Sequence, residues 1–203
     1  MKFKAKFIYL ISPNKIYYNF YSDLNTVLKT NKVKYFQLRL KKVSKNKILI
    51  VSKKIKKICK KFKVKFIIND DPLIAKKVGA DGCHLGQSDM SIKNARKILK
   101  NKIIGISCNN STKNAKEALK NKADYIALGA FNSSKTKNVK YKVTIKDLKK
   151  FRKLSNKPII AIGGINQYNY KKLLLNKADF LAISSFIWKN KKLKPLEAIK
   201  KIK

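Results

Sequence analysis

The chain has 203 residues, 51 of them lysine or arginine against 10 acidic, for a net charge of +41, and is 44% hydrophobic. That apolar content excludes a disordered polyelectrolyte and the length fits one domain, residues 1–203, while no apolar stretch reaches the ~20 residues that cross a bilayer. The charge raises a nucleic-acid partner, but only Arg39, Arg96 and Arg152 are arginines and lysine is spread along every predicted helix, so lysine-covered solvent faces that attract anionic substrates are expected instead.

The basic residues at the start precede the apolar run Phe7–Ile11, and Ser12-Pro13-Asn14 follows with no small-residue cleavage pattern, which predicts a first strand rather than a signal peptide. Tyr35–Leu38 predicts the second strand. Its end, Gln37-Leu38-Arg39-Leu40-Lys41, places Gln37, Arg39 and Lys41 on one side. A basic pair there suits a multiply charged phosphate, or else forms an edge of surface charge. Ile48, Val51, Ile55 and Ile58 then recur at the spacing of a helix with one buried side. A third run, Phe66–Ile68, opens onto Asn69 and Asp70, which are equally good helix N-caps ahead of Pro72. Gly82–Leu85 predicts the fourth strand and holds the sole histidine, His84, as easily structural as functional. Beyond it Asp89 ends the run or caps a helix beginning near Ser91.

Ala95, Ile98 and Leu99 mark a second helical stripe, and Ile103–Ser107 a fifth strand that offers the Ser107 hydroxyl. After Tyr125–Leu128 comes Gly129-Ala130-Phe131-Asn132-Ser133-Ser134-Lys135-Thr136-Lys137, which has the small residues, hydroxyls and lysines of an anion-binding lid or of an ordinary solvated loop. Ile159–Ile162 leads into Gly163-Gly164-Ile165, and Phe180–Ile183 into Ser184-Ser185.

Most of these runs are continuous rather than alternating, as in a parallel sheet covered on both sides. Ala80-Asp81, Ala123-Asp124 and Ala178-Asp179 each stand between a helical stretch and a strand, a joint repeated as in a regular βα array. Eight such units predict an α/β (β/α)8 TIM barrel with short loops and no linker. In that fold ligands gather at the carboxyl ends of the strands, where two of the few acids, Asp70 and Asp89, fall. Neighbouring carboxylates there can share a hard cation such as Mg²⁺ that holds phosphate oxygens. The glycines after the seventh strand and the serines after the eighth suit a second, metal-free phosphate site. Three widely spaced cysteines, Cys59, Cys83 and Cys108, without a CxxC pair suggest a reducing cytoplasm and no structural zinc.

In order and spacing, the Gln-Leu-Arg-x-Lys strand end, Asn69-Asp70, Ala80-Asp81-Gly82-x-His84-Leu85-Gly86-Gln87-x-Asp89, Gly105-x-Ser107, Asp124-Tyr125, Thr136-Lys137 and Ile162-Gly163-Gly164-Ile165 resemble the thiamine-phosphate synthase family over nearly the whole chain. The resemblance implies a cytoplasmic transferase that joins 4-amino-2-methyl-5-(diphosphooxymethyl)pyrimidine to 4-methyl-5-(2-phosphooxyethyl)thiazole. Thiamine monophosphate and pyrophosphate are the products, and no protein nucleophile is needed. It implies Mg²⁺ on Asp70 and Asp89. Gln37, Arg39, Lys41, Asn69 and Lys137 would hold the pyrimidine diphosphate, with hydroxyl contacts from Ser107, Ser134 and Thr136 and with His84 lining the pyrimidine pocket. Arg39, Ser107 and Lys137 would act catalytically on the departing pyrophosphate. Gly164, Ile183 and Ser184 would receive the thiazole phosphate.

Three positions depart from the family pattern. Ala130 stands where proline is frequent, which loosens the loop, Ser134 stands in the first threonine position of that loop and keeps the hydroxyl, and Asp71 stands where arginine is frequent, which adds negative charge near the metal. The related thiazole tautomerase, and a non-catalytic basic nucleic-acid-binding protein, are the alternative readings. Oligomeric state stays open.

Overall fold

A computed structural model describes residues 6–132 and 142–203. Eight parallel strands close into a barrel in chain order: β1 (Ile8–Ile11), β2 (Val33–Leu38), β3 (Lys65–Asn69), β4 (Gly82–Leu85), β5 (Ile103–Asn109), β6 (Tyr125–Leu128), β7 (Ile159–Ile162) and β8 (Phe180–Ile183), with β8 pairing back onto β1. The helices around it are α1 (Phe20–Lys29), α2 (Lys45–Lys61), α3 (Pro72–Val78), α4 (Ile92–Leu99), α5 (Thr112–Lys120), α6 (Ile145–Leu154), α7 (Tyr170–Leu175), α8 (Ser185–Trp188) and α9 (Pro195–Lys200). The expected (β/α)8 barrel is the fold of the described residues, and the predicted strands differ from these mostly by a residue or two at their ends. The second begins two residues earlier, and the fifth runs on to Asn109 through a register shift between Ser107 and Asn109.

Several helices start where short polar side chains satisfy their first free N–H groups. Ser44, Ser91 and Ser111 accept from Lys47, Asn94 and Asn114, and Thr144 forms a capping box with Asp147. The predicted stripe on α2 does face the core: Val51 and Ile55 are buried, and Ile48 and Ile58 pack partly buried against them.

Apolar residues separate into two cores. The larger lies between strands and helices, while a smaller one fills the barrel with Tyr9, Ile11, Tyr125, Ala127, Ile160, Phe180 and Ala182, and with Tyr35 packed against them. Ring centroids of Tyr9 and Tyr35 lie 5.4 Å apart, and those of Tyr35 and Phe180 5.1 Å. These rings form a solid floor, so any cavity must lie above them. Gly105 stands opposite Tyr125, whose ring occupies the space that a Cβ at Gly105 would take. Only glycine at that position lets the Tyr125 ring cross the barrel.

The Ala-Asp joints have one construction. Asp81, Asp124 and Asp179 each donate their backbone N–H to a carbonyl of the preceding strand, on Phe66, Ile104 and Ile159. Each carboxylate then accepts the N–H of that same residue, at 2.9, 2.8 and 2.9 Å. Two of the three arginines serve these joints. Arg96 donates to Asp124 at 2.7 Å and Arg152 to Asp179 at 2.6 Å, and both also donate to backbone carbonyls of adjoining loops. All three lie at the amino ends of the strands, the face that reads as stability in such barrels.

Candidate functional site

At the opposite end, the carboxyl ends of the strands surround a cavity of about 630 Å³. It is lined by Gln37, Arg39, Lys41, Asn69, Asp70, His84, Asp89, Ser107, Gly164, Ile183 and Ser184, all of them expected site residues. Ser134, Thr136 and Lys137 lie outside the described residues. On either side of that segment, Asn132 N–H donates to Gly163 at 3.2 Å and Val143 N–H donates to Ala130 at 2.9 Å, both at the cavity wall.

The acidic pair is set by local backbone chemistry. Asp71, not Asp70, caps α3: its carboxylate accepts from Leu73 N and Ile74 N at 2.9 and 3.0 Å and pairs with Lys45 at 3.5 Å. The charge expected to burden the metal region is therefore turned toward the first turn of a helix. Asp70 adopts a left-handed backbone, φ 66°, tied by its N–H to the His84 carbonyl at 2.8 Å. Its carboxylate meets Lys41 Nζ at 3.2 Å. Ser91 caps α4, leaving Asp89 free of that role, and one Asp89 oxygen accepts from Gly86 N–H at 2.6 Å. Burial raises the Asp89 pKa, and the facing Asp70 carboxylate raises it further against the opposing Gly86 N–H and Lys41. Two carboxyl groups are thus held against each other with incomplete neutralisation, an arrangement of hard oxygen donors suited to a divalent cation.

Around the pair stand cations and hydroxyls. Arg39 is the one arginine not engaged at the strand joints. Its Nη1 donates to Asn14 Oδ1 at 3.3 Å and its backbone N–H to Ser12 Oγ at 2.9 Å. The Ser12 carbonyl in turn accepts from Ser184 Oγ at 3.1 Å, joining the β2 side of the mouth to the β8 side. Gly163 and Gly164 have φ of 108° and 57°, conformations that strain any side chain, and a Cβ on Gly163 would collide with Ala130. Glycine there brings the backbone to the cavity wall beside Ser184.

Ser12, Asn14, Gln87 and Asn109 also line the cavity and were not foreseen. The rule that found the others, polar residues just after a strand, applies equally to Ser12-Pro13-Asn14.

His84 is 9% exposed, with Nδ1 2.9 Å from Tyr125 Oη and Nε2 2.9 Å from Ser107 Oγ. Burial pushes its pKa down to about 4; the Arg39 charge adds to this and Asp89 opposes it. The unfolded chain takes up that proton near 6.5 and the folded one only near 4. Stability should therefore be fully present above pH 6.5 and decline as pH falls toward 4, by about 3 kcal/mol at 1.36 kcal/mol per pH unit. Urea unfolding of the wild type and His84→Asn across this window should show a shallower pH slope in the variant; equal slopes would mean that the histidine is protonated in the fold.

The sequence profile of the thiamine monophosphate synthase family matches residues 8–187. A thiamine-phosphate synthase of Pelagibacter ubique is 63% identical over 203 residues, covering 100% of this chain and 98% of that relative. Another, of Erythrobacter litoralis, is 35% identical over 186 residues, covering 89% and 87%. Among solved structures, the thiamine phosphate pyrophosphorylase from Pyrococcus furiosus superposes with a TM-score of 0.87 at 25% identity, covering 98% of this chain and 94% of that one. A 3-hexulose-6-phosphate synthase from Salmonella typhimurium, at TM-score 0.71 and 17% identity over 96% of each chain, shares the fold alone.

Proposed function

The chain belongs to the thiamine monophosphate synthase family, and from that membership we propose how its cavity divides the work of the reaction. The activity is that of a thiamine-phosphate synthase. The bond from the pyrimidine methylene carbon to diphosphate oxygen breaks, a bond from that carbon to the thiazole nitrogen forms, and pyrophosphate leaves. Both substrates are small anions, for which the strongly positive chain is a favourable target. No helix among the described residues is long and apolar enough to cross a membrane, and the three cysteines are free and buried, consistent with a place in the cytoplasm.

The observation that carries the reading is the meeting of Asp70 and Asp89 beside Lys41 and Arg39 at one cavity wall. Among the described residues no cluster of three or more His, Cys, Asp or Glu side chains forms a complete protein cage. A pair of carboxylates suits Mg²⁺, which usually keeps one or two such ligands and completes its shell with substrate phosphate oxygens and water. Bound there, Mg²⁺ would supply neutralising charge to the diphosphate. Arg39 and Lys41 hold the same group from the protein side, with Gln37 and Asn69 beside them, and Lys137, outside the described residues, is assigned to the same group. Ser107, with Ser134 and Thr136 near Lys137 in sequence, donates hydroxyl contacts. His84 and the tyrosines beneath it give the pyrimidine ring a flat, dry seat. Gly164, Ile183 and Ser184, across the mouth, receive the thiazole phosphate and so orient its ring nitrogen toward the reacting carbon. Since the leaving group carries off the electron pair, the protein's contribution is positive charge and fixed donors around it, and no nucleophilic side chain is required.

Turnover of the two precursors should be abolished by EDTA and restored by added Mg²⁺. Arg39→Lys keeps the charge but loses the planar fork held by Asn14, and should raise KM for the pyrimidine diphosphate roughly tenfold while leaving KM for the thiazole phosphate unchanged. Equal effects on both constants would place Arg39 elsewhere. Activity indifferent to EDTA would remove the metal.

A further inference from the structure

Three hydroxyls and one imidazole form a continuous file from the barrel interior to the cavity. Tyr9 Oη lies 2.7 Å from Tyr125 Oη, which is 2.9 Å from His84 Nδ1. His84 Nε2 is 2.9 Å from Ser107 Oγ, and only this last hydroxyl belongs to the cavity wall. Both tyrosines are buried, and the His84 ring stacks on Tyr125 with an interplanar angle of 13°.

Hydroxyls face both ring nitrogens, and a neutral imidazole has one N–H donor and one bare acceptor. The file must therefore point one way throughout. In the outward order Tyr9 donates to Tyr125, Tyr125 donates to Nδ1, and Nε2–H donates to Ser107, whose own proton is then free for the cavity. In the inward order Ser107 donates to Nε2, Nδ1–H to Tyr125 and Tyr125 to Tyr9. That order would leave the Tyr9 proton among aromatic rings and would turn an acceptor toward an anion.

We propose that Tyr9 and Tyr125 are positioning residues that hold His84 as its Nε2–H tautomer and thereby make Ser107 a fixed hydrogen-bond donor to the anion in the cavity. No proton changes hands: the barrel core fixes which way a hydroxyl faces before substrate arrives, the condition under which a donor stabilises developing charge without reorganisation. The inference rests on the reading that the diphosphate lies against Ser107.

His84 is the only histidine of the chain, so a long-range ¹H–¹⁵N spectrum of the full-length, histidine-labelled protein contains a single ring system. Without substrate it should show a protonated, pyrrole-type Nε2 and an unprotonated, pyridine-type Nδ1. Tyr125→Phe keeps the ring stack and removes the hydroxyl, so Nδ1 should move away from its pyridine-type value. The same variant should lose about tenfold in kcat, the lower end of what losing the hydrogen-bond partner of a contacting side chain costs, with KM for the thiazole phosphate unchanged. Tyr9→Phe removes the donor that obliges Tyr125 to donate to Nδ1, so it should move Nδ1 in the same direction by a smaller amount, and an unchanged spectrum would remove Tyr9 from the positioning role. A wild-type spectrum with Nδ1 protonated, or a Tyr125→Phe spectrum identical to wild type, would overturn the proposal, and the wild-type measurement decides even if the variant does not fold. Full activity of Ser107→Ala with an unchanged His84 spectrum would instead overturn the placement of the diphosphate on Ser107.

Discussion

Asp89→Asn and Asp70→Asn should each lower turnover by about 10²-fold or more, the scale of losing one preorganised electrostatic contact, without loss of folding stability. Asparagine is the informative replacement at both positions. At Asp70 it tolerates the left-handed backbone, where alanine would add strain. At Asp89 it preserves an acceptor for the Gly86 N–H. Each change also removes one of two like charges forced together, so the unfolding midpoint should hold or rise. If both carboxylates serve one cation, the double variant should be no slower than the worse single one, because groups acting as a unit are not additive. Steady-state rates over a Mg²⁺ titration, with urea unfolding on the same samples, make the comparison. Full turnover of either variant at limiting Mg²⁺ would show that the pair does not hold the metal.

Asp179→Ala should cost about 3 kcal/mol in unfolding free energy, while Asp81→Ala, at the matching position of another joint, should cost about 1. The difference comes from burial. Asp179 and Arg152 are each 24% exposed in their side chains, and removing the carboxylate leaves both the Ile159 N–H and a guanidinium without it. Asp81 pairs with Lys65, 51% exposed, and water takes over readily. Because these joints stand at the far end of the barrel, turnover per folded molecule should match wild type in both variants. Equal losses of stability at the two positions would mean that the strand N–H contact, common to both, dominates and the arginine adds little.

The barrel and its mouth were legible in the sequence because a strand covered on both sides has little choice of composition. Ile159–Ile162 and Phe180–Ile183 declare themselves, and the residues just past each strand line the mouth. Function within adjacent like residues was less legible. Asp70 and Asp71 are chemically identical, and only the path of the chain into α3 decides which one caps and which one faces the cavity. Tyr9 reads as part of an apolar strand and Tyr125 as the first residue of a strand after a repeated joint, neither as a hydrogen-bonding hydroxyl. In a filled barrel both faces of a strand are buried, so alternation gives no sign that one tyrosine hydroxyl meets another across the interior. The Ala-Asp repeat signalled a regular joint, but the arginines that complete two of them come from helices 27 or 28 residues away in sequence.

The meeting of Asp70 and Asp89 has a further effect in a molecule so rich in lysine. A net charge of +41 draws mobile anions toward the molecule and repels divalent cations, so the notch between these two side chains opposes the prevailing sign. Added electrolyte then acts with opposite sign on the two arrivals. It flattens the attraction that gathers phosphorylated compounds from solution, and it equally flattens the repulsion that keeps magnesium at a distance.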